Sequence, residues 1–538
     1  MMVNVAVVLS ALVAGASAQT WCNKHYMSSQ AVVPPGGNFP TPAPSTEPLL
    51  ALRCAPSIRP YLADDSTSPA GILIDAPVTY SHIAGAEPIS ISSGSLEVTI
   101  SANGKTLGQS QVPLNATKYE ISFSLAGLKA QTDAYNVSCM AKYNSQTFTS
   151  FTALSYLPNP TNSSVTKMDL RTGALMAKPA TGKGGDYEYV FPIGFYTSFD
   201  GYLATNLSVI NDLKDQGFTI IHPVPTFDNL TALGEVLDRM EEVGLYLMYD
   251  MRFPSSYMNT TAVTEQVNMI KSRPNLLLWY TGDEPDGTSD PLNATSTAYD
   301  LIYSLDGYHP VSLVLNCQDY QYTAYTSGTD IVMQDTYMIG NNVTHSVEWN
   351  TACTPDFGDC GCDNCKGNFE DISTRMDEFK ERNFINGWDR TKAVWTVPQA
   401  FGGEEYWSRE PTGYEWLVQS IVGVNHGGLG IVPWDDPTPT DIKGNASALA
   451  KALPSMTPYI FSPSATFTNL TSNQIDVAMW TVAGKTLLLA ANMNYKQVTL
   501  TLPAALKGKQ ATQVFNGGAT ASGSGITFQS VGTGAFIF

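Results

Sequence analysis

Glu284 stands where an apolar run breaks. Leu276-Leu277-Leu278-Trp279-Tyr280-Thr281 is followed by Gly282, two adjacent carboxylates, Asp283 and Glu284, and then Pro285. So short and apolar a run reads as a strand buried on both faces, and carboxylates at its carboxyl end are placed to exchange protons with a bound molecule. The plainer reading is that the two acids cap the next helix. Polar groups follow other short apolar runs in the same way: Asp250 with Arg252, Asp335 with Tyr337, Gln399, and Trp434 with Asp435 and Asp436. Rings accompany them at Tyr196, Trp395, Trp407 and Trp434. Carboxylates among aromatic rings suit a sugar, whose C–H faces stack on rings while its hydroxyls bridge polar groups. Breaking a glycosidic bond takes one protonated carboxyl for the leaving oxygen. It also takes an ionised one to attack or to activate water.

These residues must be brought to one place, and the hydrophobic pattern supplies the means. From Tyr189 onward short apolar runs alternate with helical periodicity. The strands expected are 189–196, 218–224, 245–250, the stretch 276–285, 310–316, 330–337, 393–401 and 428–434. Eight strands with intervening helices form an α/β fold, a (β/α)8 TIM barrel over 185–460, whose strand carboxyl ends make one mouth. No Gly-x-Gly-x-x-Gly follows the first strand, so a dinucleotide site is unsupported and no cofactor is expected. Period-two runs precede the barrel and follow it. They predict an immunoglobulin-like β-sandwich over 71–160 and a small C-terminal β-sandwich over 464–538. Residues 19–70, rich in Pro and Ser, read as an irregular segment held by a disulfide.

The 538 residues include 43% hydrophobic and 14% charged, the composition of a folded chain of several domains. A net charge of −19 argues against nucleic acid or an anionic membrane as partner. Residues 1–18 carry an apolar core ending in Ala16-Ser17-Ala18, which predicts a secretory signal peptide and an extracellular location. Ten Asn-x-Ser/Thr sequons agree with it: Asn115, Asn136, Asn162, Asn206, Asn229, Asn259, Asn293, Asn342, Asn445 and Asn469. Eight cysteines, four of them crowded into 353–365, fit disulfides better than zinc in an oxidising compartment. His222, His309 and His426 show no metal-ligand spacing and read as structural. Oligomeric state is not legible.

A barrel whose fourth strand ends in Glu-Pro resembles the clan A glycoside hydrolases, in which that Glu is the acid/base. The resemblance implies a secreted hydrolase of an extracellular polysaccharide or glycan, with Glu284 as acid/base and a retaining outcome. Two departures stand out: Asp283 replaces the usual Asn, and Gln399 stands where the seventh strand should offer a nucleophilic Glu. The second carboxylate is therefore assigned to Glu404, with Asp335 in reserve. Substrate contacts are expected from Asp283, Tyr196, Asp250, Arg252, Tyr337, Trp395, Gln399, Trp407, Trp434 and Asp435. Gln399 also admits a non-catalytic carbohydrate-binding protein on a degenerate barrel, and the same carboxylates admit a transglycosidase.

Overall fold

The computed structural model describes residues 20–90, 93–161, 163–523 and 525–538. The expected signal peptide and Asn162 lie outside them. Seven parallel strands form one sheet in chain order: Tyr196–Ser198, Ile220–Val224, Tyr246–Asp250, Leu276–Asp283, Val311–Leu315, Ile331–Gln334 and Ala393–Thr396. An eighth segment links its two edges. Ile431 bridges Ile193 on one side and Thr396 on the other, Trp434 bridges Gln399, and the Tyr196 amide donates to the Pro433 carbonyl. Backbone bonds thus run around a ring, and every expected strand contributes to it.

Helices cover the outside because each presents an apolar stripe to the strands. Leu230–Val243 buries Leu233, Val236, Leu237 and Met240, starts at the side-chain cap of Asn229 and stops at Gly244, whose φ is +79°. The ring's interior is filled by Met248, Leu278, Tyr280, Met333, Trp395 and Val432.

One strand differs from expectation. The run 189–196 splits: Glu188–Val190 joins an antiparallel sheet with Ala174–Ala177, and the first ring strand begins only at Tyr196. Pro192, which lacks an amide proton, separates the two. Residues 19–70 are also more ordered than their composition suggests. Pro44–Ala51 and Arg53–Pro56 pair with strands of the following region. That region is antiparallel, with a four-stranded sheet ordered Lys105–Pro113, Ser95–Ala102, Tyr135–Tyr143, Gln146–Leu154 and shorter sheets around Pro69–Asp75 and Pro44–Ala51. Val98, Ile100, Val137, Ile72, Ile74 and Ile121 share its core.

The C-terminal region is a separate antiparallel sheet of six strands. Within Lys485–Asn492, Leu487, Leu489 and Ala491 face the core shared with the ring's helices, while Leu488 and Ala490 face a core of the sheet's own. Burial on both sides explains why this strand reads as continuously apolar.

All eight cysteines pair, as Cys22–Cys317, Cys54–Cys139, Cys353–Cys360 and Cys362–Cys365. The disulfides of 19–70 therefore run out of that segment, one to the ring and one across the antiparallel core. Among the described residues no helix is long and apolar enough to cross a membrane.

Candidate functional site

The fourth strand delivers Glu284 through a backbone that side chains seldom adopt, with φ +51°. Its amide still donates to the Val314 carbonyl at 3.2 Å, so the residue turns out of the sheet while tethered to it. The resulting side chain meets Asp335, which follows the sixth strand, and the two carboxyls share a hydrogen bond. Burial foremost, and then the facing carboxylate, raise Glu284 well above the usual carboxylate range. Asp335 is pushed up to about 7, mainly by burial. Two carboxyls in contact cannot both ionise cheaply, so the pair retains at least one proton near neutral pH.

Asn316, just past the fifth strand, was not among the sequence candidates. Its Nδ2 donates to Glu284 at 2.9 Å and to Asp335 at 3.4 Å. The rule that found the other candidates, a polar residue just past an apolar strand, fits Leu315-Asn316 equally well. Asp286 was missed too. Its carboxylate accepts the amides of Gly287, Asn316 and Cys317, while burial pushes it up to about 8.

Beside the pair lies a charged cluster. Asp283 accepts from the Tyr280 hydroxyl and, at 3.1 Å, from Arg252. Arg252 is held by Asp250 at 2.8 Å, and Asp250 also takes His222 at 2.7 Å. Asp250 and His222 are fully buried, so these two support the mouth from behind. The guanidinium of Arg252 lies 4.8 Å from the Trp434 ring centre and 5.2 Å from that of Tyr196. His309 and His426 are likewise paired with carboxylates, His309 with Asp306 and His426 with Asp377 and Asp476.

Several candidates are not presented to a ligand. Gln399 is fully buried and its amide is spent on backbone: it donates to the carbonyls of Ile339 and Phe401 and accepts the Ile339 amide. Trp395 is also fully buried, inside the ring against Gly430, where an added Cβ would lie 2.4 Å from the indole. Tyr196, at 1% exposure, turns its hydroxyl to Tyr280 at 3.2 Å. Trp407 and Tyr337 pack edge to face with Phe401 and are buried. Of the four rings expected to stack on sugar, Trp434 alone keeps appreciable exposure. Glu404 does not reach the pair with Glu284. It is exposed, on a turn closed by the Trp407 amide donating to its carbonyl, and its charge acts on Asp435. Burial and Glu404 together push Asp435 up to about 6. Among the described residues no group of three or more His, Cys, Asp and Glu side chains is placed to hold a metal ion.

Neither a protein-family model nor a curated protein sequence matches the chain. Its structural neighbours are glycoside hydrolases. One, a glycoside hydrolase, shares 12% identity at a TM-score of 0.46, covering 70% of this chain and 96% of its own. A family 39 glycoside hydrolase from the gut symbiont Bacteroides cellulosilyticus WH2 shares 13% at 0.41, covering 84% and 95%. A putative alpha-galactosidase/melibiase from Bacteroides fragilis NCTC 9343 shares 13% at 0.41, covering 94% and 97%. At identities and scores this low, the case for function rests on the side chains of the mouth.

Proposed function

We propose that the chain is a secreted glycoside hydrolase acting on an extracellular polysaccharide or glycan. In this reading the ring is a (β/α)8 barrel, flanked by an immunoglobulin-like sandwich and a small C-terminal sandwich. The carrying observation is that the buried carboxyls of Glu284 and Asp335 meet at the carboxyl ends of the fourth and sixth strands, so placed that the pair can keep a proton for catalysis. Glu284 donates that proton to the glycosidic oxygen. Asp335 is the ionised partner, which takes the place first assigned to Glu404. A hydrogen-bond contact is closer than the roughly 5–5.5 Å of retaining enzymes or the roughly 6.5–9.5 Å of inverting ones. The contact is therefore a resting state that an entering sugar parts, and the anomeric outcome is left to the product. Trp434 offers the stacking face, and Arg252 with Asp283 the polar contacts beside it. The four disulfides support an oxidising, extracellular setting. So do eight exposed sequon asparagines: Asn115, Asn136, Asn206, Asn229, Asn259, Asn293, Asn342 and Asn469.

Reducing-end release from a panel of polysaccharides and aryl glycosides tests this. Asp335→Asn should lose turnover as fully as Glu284→Gln, while Glu404→Gln keeps most of it. Loss in Glu404→Gln but not in Asp335→Asn would reverse the assignment of the partner. One observation favours a second reading, a carbohydrate-binding protein without turnover: the contact between the two carboxyls leaves no gap for a glycosidic oxygen. That reading expects glycan retention by the wild type with no release of sugar from any substrate.

A further inference from the structure

The far N-terminal segment reaches the acid pair. Trp21, on the short strand Thr20–Trp21, donates its indole Nε1–H to Oδ1 of Asn316 at 3.0 Å. Two further links hold it there. The Cys22 amide donates to the Gly287 carbonyl at 3.2 Å, and Cys22 is disulfide-bonded to Cys317, the residue next to Asn316 and 295 positions away in sequence. The indole lies on Gly287 so closely that a Cβ there would come within 2.4 Å of the ring.

An asparagine amide has nearly the same shape either way round, so its partners decide which end points where. The Asn316 backbone is fixed independently, its carbonyl by Arg375 at 2.6 Å and its amide by Asp286 at 3.3 Å. The side-chain oxygen is fixed by the indole, and the NH₂ group then faces Glu284 and Asp335. We infer that Trp21 is a positioning residue for the acid pair, fixing the amide of Asn316 so that it donates to both carboxyls, with the Cys22–Cys317 disulfide holding the strap in place. This rests on reading Glu284 and Asp335 as the working pair.

An NH₂ facing the carboxyls favours their ionised forms, whereas a reversed amide would present an oxygen and favour the protonated ones. The other charged or titratable groups facing the pair are Asp283, Asp286, Arg375 and Tyr337. Neither the indole nor the Cys22–Cys317 disulfide carries a charge that replaces one of them.

The test is an infrared titration of the protonated-carboxyl band, identified as the band that Glu284→Gln removes. Trp21→Phe keeps a ring over Gly287 and deletes the N–H. It should raise the midpoint by about one pH unit, a roughly tenfold change in proton affinity. Gly287→Ala, which pushes the indole aside, should shift it in the same direction, and the double variant no further than the larger single. Unchanged midpoints in either folded variant overturn the inference. Because the titration needs no turnover, the two readings fail separately. A shift in a protein that releases no sugar sinks the hydrolase and keeps the positioning role, and turnover without a shift does the reverse.

Discussion

Asp330 and Asp335 sit at opposite ends of one ring strand, Ile331–Gln334, and both are almost fully buried. Their surroundings have nothing else in common. At the amino end, Asp330 is ion-paired with Arg59 and accepts the hydroxyls of Tyr299 and Tyr303 at 2.8 Å and the Val311 amide at 2.9 Å. At the carboxyl end, Asp335 meets another carboxyl, with an amide at 3.4 Å. Arg59 lies on the short strand Ile58–Arg59, which pairs with Thr166–Asp169 in the antiparallel sheet that also holds Ala174–Ala177, so one carboxylate ties that sheet to the ring while the other is left at odds with its own neighbour. Placement alone does not tell a structural acid from a reactive one; the partners do.

The largest effect expected from breaking this contrast is at the mouth. Glu284→Gln keeps the shape and deletes the proton, and should lower the rate of glycoside cleavage by roughly 10²–10⁴. Thermal unfolding should show equal or higher stability, because a buried carboxyl opposed by another acid has been replaced by a neutral amide of the same shape. A large loss of stability together with activity would make Glu284 a structural residue.

Next comes the amino end. Arg59→Met strands Asp330 as an uncompensated buried charge and should cost about 3–5 kcal/mol in chemical denaturation. The rate per folded molecule should hold. A cost below about 1 kcal/mol would mean that the tyrosine hydroxyls and the Val311 amide suffice for Asp330.

The pH dependence of stability sharpens the same comparison. Asp335 is raised to about 7, Asp286 to about 8 and Asp435 to about 6, so the folded chain binds these protons more tightly than the unfolded one. Stability from them is fully present below the ordinary carboxylate range and is lost as pH climbs through those values. His426, held between Asp377 and Asp476 and raised to about 9, adds stability below its ordinary value that is lost as pH rises through 9. Stability should therefore fall between roughly pH 5 and 9, and the melting temperature with it. Glu284→Gln should flatten the lower part of that slope. A stability that rises across this window would contradict the burial assigned to these groups.

Much of the ring was legible because its signal is local. A strand buried on both faces is a short apolar run, and six such runs became ring strands that start within a few residues of where the pattern put them. Glu284 and Asp335 were legible as polar residues past such runs, but their pairing was not, because it depends on how the strand ends turn. At Glu284 that turn takes a left-handed backbone which nothing in Gly282-Asp283-Glu284-Pro285 specifies. Gln399 and Trp395 misled for the opposite reason. A buried amide bonded to backbone and a ring filling a closed interior have the same residue types as ligand contacts. Asn316 lay within reach of the rule that found its neighbours, whereas Trp21 depends on a disulfide to a residue 295 positions away, beyond any local pattern.

The smallest effect expected returns to Asp330. Tyr299→Phe deletes one of four donors to a carboxylate that keeps its guanidinium, its second phenol and a backbone amide. The loss should be about 1 kcal/mol by denaturant titration, the usual contribution of one hydrogen bond, with no change in the pH profile of cleavage. The corresponding deletion at the mouth, Asn316→Ala, removes the amide seen at both Glu284 and Asp335, and their titration should move upward. Losing one donor is thus absorbed where the charge is already neutralised. It is felt as a change of proton affinity where the charge is opposed by another acid. Equal responses at both ends would mean that Asp335 is as well compensated as Asp330, and the distinction between the two ends of the strand would be lost.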